Sequence, residues 1–147
     1  MTGYMNILVA VDLSPDSAFV LDKARQIAKQ YDGAELSLMH VMEPIAVGYT
    51  LDISGADFET LYAEVMRQSR NSLLELGASV GIAEHRLHNV LGSPAREIRN
   101  TAKEIKADLV VVGSHGKHGF ELLLGSTSSG VSHGVGCDLL IVRIPGH

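Results

Sequence analysis

Gly113, Gly116 and Gly125 punctuate a stretch that runs into Ser126, Thr127 and Ser128, and this is chemistry suited to an anion. Glycines let the backbone come close to a ligand and take positive φ. Free amides and the dipole at a helix start favour phosphate, so a helix opening at Ser126 would make an anion site. The three hydroxyls add donors toward phosphate oxygens. Ordinary turn glycines and capping serines would account for the same residues without a ligand. Asp12 is the second candidate, since its carboxylate could accept bonds from ribose hydroxyls or help to bind a metal. With Ser14 it could equally shape a loop and cap a helix. His40 fits a satisfied core or rim histidine better than a ligand, while Val41 could offer backbone groups and an apolar wall to a base. Lys117 could pair with a phosphate, or simply be an exposed loop lysine.

Other chemistries fail on spacing. His115, His118 and His133 match no metal pattern, and no cysteine or carboxylate completes one, so no metal ligand is assigned. There is no G-x-x-x-x-G-K-[ST], no glycine in Asp12-Leu13-Ser14-Pro15 as a dinucleotide site requires, and no G-x-S-x-G elbow. Asn89-Val90-Leu91-Gly92 lacks the aspartate that a phosphorylatable receiver carries after its third strand. A phosphate cradle is present without a base or nucleophile beside it. No catalytic residue is therefore assigned, and turnover is expected to be slight or nil.

Such loops work only if a scaffold brings them together. Asn6 to Val11 is an apolar run that stops at Asp12, the pattern of a strand covered on both faces. Ser14-Pro15-Asp16-Ser17 supplies caps and a first-turn proline for a helix that buries Val20, Leu21, Ala24, Ile27, Ala28 and Tyr31. Asp32-Gly33 closes that helix. Glu35 to Val41 is the second strand, and a long connection follows from Met42 to Gly55. Phe58, Leu61, Tyr62, Val65, Met66, Leu73 and Leu76 mark a long amphipathic helix. His85 to Val90 reads as a third strand, with Leu87 and Asn89 on one face and His88 and Val90 on the other. Gly92-Ser93-Pro94 opens a helix with a buried face of Ala95, Ile98, Ala102 and Ile105. Leu109 to Val112 is a fourth strand, Ser126 to His133 a short helix, and Leu139 to Ile144 the last strand. This alternation predicts an α/β fold: a single-domain open five-stranded parallel sheet, Rossmann-like, with helices on both faces and right-handed crossovers. Ligands of such sheets bind beyond the carboxyl ends of strands where strand order reverses, which selects the loops after strands one and four.

The chain has 147 residues, 46% hydrophobic and 20% charged, which suits one globular domain over residues 1–147. A net charge of -5, without a basic stripe, argues against nucleic acid and anionic membranes as partners. Cys137 is the only cysteine, so no internal disulfide forms; it reads as a small buried filler. The first residues lack the basic flank of a secretory signal, and the apolar runs are too short to span a bilayer. The expected location is the cytoplasm.

Taken together, the stretches Ile7 to Ser14, Gly92 to Ala95, Val111 to Gly116 and Leu122 to Ser126 resemble the universal stress protein family. Its ATP-binding branch spaces Gly, two residues, Gly, nine residues, Gly, then Ser or Thr. Gly113, Gly116, Gly125 and Ser126 match, except that eight residues separate Gly116 from Gly125, which shortens the turn and keeps the Gly-Ser helix start. The resemblance implies an adenine nucleotide alpha hydrolase-like sheet of strand order 3-2-1-4-5. It also implies a stress-response role and nucleotide binding, with ATP (or AMP or ADP) held together with Mg or Mn. Ala10, Val11 and Val41 would form the adenine side, Asp12 would contact ribose or base, and Gly113, Gly116, Gly125, Ser126, Thr127 and Ser128 would hold the phosphates. A homodimer through the last strand is also implied, and the apolar edge Leu139 to Val142 suits one. The competing readings are a nucleotide-free dimeric interaction protein and a slow ATPase or phosphotransferase.

Overall fold

Ile7, Leu8 and Val9 stand consecutively in β1 (Asn6–Ala10), and all three are fully buried. Successive side chains of a strand point to opposite faces, so an unbroken apolar run is stable as a strand only between two covering layers. The structure, a computed structural model, describes residues 3–43, 55–114 and 136–145, without the side chains of 55–58. After β1 come α1 (Ser17–Ala28), β2 (Glu35–Met42), α2 (Gly55–Ser79), β3 (Leu87–Leu91), α3 (Pro94–Glu104), β4 (Leu109–Gly113) and β5 (Asp138–Val142). Every pairing is parallel and the strand order is β3-β2-β1-β4-β5, as the resemblance implies.

Two cores lie on the two sheet faces. Ile7, Val9 and Val11 pack with Val20, Leu21 and Ala24 of α1 and Leu73 of α2. Leu8, Ala10, Met39 and Val41 pack with Ile98 and Ala102 of α3. The half-buried Cys137 borders this second core, and burial pushes its thiol pKa up, which disfavours the thiolate.

Several boundaries differ from the sequence reading. The third strand begins at Leu87, not His85, because Glu84–Arg86 forms a 3-10 turn closed by the Arg86 N–H on the Ala83 carbonyl at 2.9 Å. The last strand ends at Val142, opposite Gly113; beyond it the Ile144 N–H donates to Ser114 Oγ at 3.1 Å. The cap of α1 is Asp16, with no side-chain capping bond, and Pro15 precedes it instead of entering the first turn. Here the Ser17 N–H closes on the Ser14 carbonyl at 3.0 Å. Of the stripe predicted on α2, Leu73 is fully buried and Leu61, Tyr62, Val65, Met66 and Leu76 are half-buried. The helix predicted over Ser126 to His133 lies outside the described residues.

α3 ends on a strained residue. Lys106 has φ 58, and the Ala107 N–H reaches back to the Ala102 carbonyl at 2.9 Å, while the Lys106 N–H reaches that of Lys103 at 3.2 Å. This six-to-one and five-to-two pattern is the Schellman ending, whose left-handed position favours glycine. α2 ends in the same way with Gly81, φ 77. Lys106→Gly should therefore gain about 0.5–1 kcal/mol, seen as a melting temperature about 1–4 °C higher.

His88 on the edge strand β3 is half-buried, and burial lowers its imidazole pKa below the ordinary 6.5, helped by Arg86 and opposed by Glu104. The folded state thus prefers the neutral ring, and the unfolded chain takes up the proton first. The resulting stability is fully present above the unfolded value and is lost as pH falls through the lower, folded one. Denaturant midpoints at about pH 7.5 and about pH 5.5 should differ less in His88→Gln than in the parent.

Candidate functional site

β1 and β4 are neighbours within the sheet, yet the strands that follow them, β2 and β5, lie on opposite sides of the pair. Their carboxyl ends are the point where strand order reverses, and the chains leaving them in opposite directions open a crevice. Ala10, Val11 and Asp12 from the end of β1 and Gly113 from the end of β4 line a shallow cleft there, with an interior of about 10 Å³. That is far smaller than a whole small-molecule site. The first turn of α1 closes one side with Asp16, Ser17 and Val20, and Ile144 closes another.

Asp12 carries the polar chemistry of the cleft. Its Oδ1 accepts the Ser14 N–H at 2.9 Å and the Ser17 hydroxyl at 3.4 Å. The loop-shaping role is thus present in the structure, and it fixes the carboxylate at the cleft wall. Between Asp12 and Ser14, Leu13 has φ 63, a left-handed conformation that costs an ordinary residue about 1–2 kcal/mol. Strain of this kind survives where surrounding contacts enforce it, and it concentrates at functional loops. The Asp12–Ser14 bond and the packing of Leu13 against the α1-side core are those contacts.

His40 supports the same loop from below. It is buried on β2, and its Nδ1 lies 3.1 Å from the Val11 carbonyl. A carbonyl only accepts, so the geometry assigns the proton to Nδ1. The rim-histidine reading holds, with the addition that this rim contact anchors the residue preceding Asp12. Ser114 does the equivalent work at the β4 end: its N–H donates to the Val142 carbonyl at 2.9 Å and its Oγ accepts the Ile144 N–H.

Of the residues selected from sequence, Ala10, Val11, Asp12 and Gly113 converge on the cleft. Val41 does not line it; its side chain is buried in the core on the α3 side. Gly116, Gly125, Ser126, Thr127 and Ser128 lie outside the described residues. Sequence reasoning used Ser17 and Val20 only as cap and core. Their signal was their place at the start of the helix that follows Asp12, which brings that first turn against the strand ends.

The universal stress protein family model matches residues 3–143. The chain belongs to that family. A curated relative, universal stress protein A homolog 2 of Coxiella burnetii (strain RSA 493 / Nine Mile phase I), is 39% identical over 151 residues, covering 99% of this chain and 99% of its own. Among solved structures, the hypothetical protein MJ0577 superposes with a TM-score of 0.75 at 23% identity, covering 98% of this chain and 99% of that one. This likeness is one of fold. A universal stress protein in complex with cAMP superposes with a TM-score of 0.59 at 27% identity, covering 96% and 98%. Among the described residues, no helix of this universal stress protein is long and apolar enough to cross a membrane.

Proposed function

We propose that this universal stress protein is an adenine-nucleotide-binding regulatory module, with ATP as its ligand (AMP and ADP using the same seat) and little or no catalytic turnover. The observation that carries this reading is the sharing of one cleft by Asp12 and Gly113 at the strand-order reversal. Apolar walls at Ala10, Val11 and Val20 beside a fixed carboxylate suit an adenosine, whose ring wants apolar contact and whose ribose offers hydroxyl donors. Asp12 and Asp16 are hard oxygen donors, the type that Mg²⁺ or Mn²⁺ takes. Gly116, Gly125 and Ser126 to Ser128 would carry the phosphates. A relative bound to cAMP shares the adenosine half of this ligand.

On this reading residues 1–147 are one cytoplasmic domain acting in the stress response. It assembles as a homodimer through the last strand, Leu139 to Ile144. Support for the dimer is that β5 is a terminal strand of the sheet and that Ile141 on it is 37% exposed; such an edge invites a partner strand. Gly125→Val tests the phosphate half. A β-branched side chain there should abolish ATP binding in titrations with Mg²⁺ while leaving the melting curve unchanged. Unaltered affinity in the folded variant would remove this loop from the site.

A further inference from the structure

At the opposite, amino-terminal end of the sheet lies a larger open groove of about 570 Å³ between the end of α1, the start of β2 and the connection from α2 to β3. Its floor is apolar: Ala28, Leu36, Val80 and Ile82 are half-buried on the edge of the α1-side core. Its rim carries full cations, with Arg25 and Lys29 on one wall and Arg86 on the other beside His85. Among the described residues, Glu35 is the single carboxylate on the lining, and it is paired with Arg86. Among those same residues, Arg25 and Lys29 are in no ion pair.

This is a local reversal of sign on a chain of net charge -5. The carboxyl-terminal dipole of α1 accounts for a cation at Arg25 or Lys29. It does not account for Arg86, which arrives from a different connection and lines the same groove. We propose that this groove docks an acidic segment of a partner protein. An apolar side chain of that segment rests on Leu36, Val80 and Ile82, and its carboxylates face Arg25 and Lys29. An open groove with an apolar floor and a charged rim has the anatomy of a protein interface. Its full cations outnumber its carboxylate, so the complementary partner is acidic. The groove is separated from the nucleotide cleft by the length of the strands, so a docked partner leaves that cleft open.

The probe is a short dye-labelled peptide of glutamates interrupted by leucines, followed by fluorescence anisotropy on the whole chain. Saturable binding is expected, weakening with added salt. Exchanging the glutamates for glutamine, or the leucines for serine, should abolish it. Arg25→Glu with Lys29→Glu should weaken it about tenfold or more, with an unchanged ATP titration and a melting temperature lowered by only a few degrees through the helix dipole. Lys29→Glu alone, at an exposed position, keeps the test open should the double variant unfold. No saturation, equal binding by the charge-reversed variants, or binding of decanoate in place of the peptide would overturn the proposal.

Discussion

Ile98→Ala should lower the melting temperature by about 4–20 °C, the largest loss expected from a single substitution on the α3 face. Ile98 is fully buried, at 0% relative accessibility, in the core that also holds Leu8, Met39 and Val110. The other apolar residue that α3 buries in this core is the small Ala102. Ile98 is thus the main anchor of the helix. Truncating such a side chain to its β-carbon costs about 2–5 kcal/mol, because the transfer energy is lost and a cavity remains. A domain of this size loses about 2–4 °C per kcal/mol. Ile98→Val removes one methyl group and should cost only about 0.5–1.5 kcal/mol. Thermal melts of the two variants side by side check the anchor, and equal melting points would show that α3 is held elsewhere.

The second large effect is expected at Asp12. Asp12→Ala should weaken ATP binding by about ten- to a hundredfold, the worth of one or two hydrogen bonds to a charged acceptor. It should also relax selectivity among riboses and bases. The same change removes the bonds to Ser14 and Ser17, so part of the loss could come from the loop. Asp12→Asn separates the two contributions. Its amide oxygen still accepts the Ser14 N–H and holds the turn, while the charge toward the ribose is gone. Titrations and melts should show weaker binding at an unchanged melting temperature for Asp12→Asn, and weaker binding with a lower one for Asp12→Ala.

β1 and β4 were legible because burial on both faces selects near-continuous apolar runs. Ile7 to Val11 and Leu109 to Val112 read as strands from their types alone, and their burial is complete or nearly so. β3 was less legible because it is an edge strand whose residues are half-buried at best. Its alternation of Leu87, His88, Asn89 and Val90 does sort by face as expected. Leu87 borders the α1-side core, Val90 borders the other, and Asn89 donates to Ser69 Oγ of α2 at 2.9 Å. Its start was misread because the turn at Glu84–Arg86 is set by a local backbone bond that side-chain types do not announce.

Asp12 was legible as a site residue because a buried run that stops at a carboxylate marks a strand end. The contact from His40 to the Val11 carbonyl was not, since it depends on how β2 and β1 align in register. The cationic groove was also hidden from sequence. Arg25 and Lys29 stand at the end of one helix, and His85 and Arg86 fall in the stretch read as a strand; only the fold brings them to one groove.

The most direct test of the nucleotide-binding account is calorimetric titration of the gently purified, nucleotide-stripped protein with ATP and Mg²⁺. Saturable binding at one site per chain, in the micromolar range and weakened in Asp12→Asn, is the predicted result. Absence of heat with a correctly folded protein, or binding that Asp12→Asn leaves untouched, would contradict it.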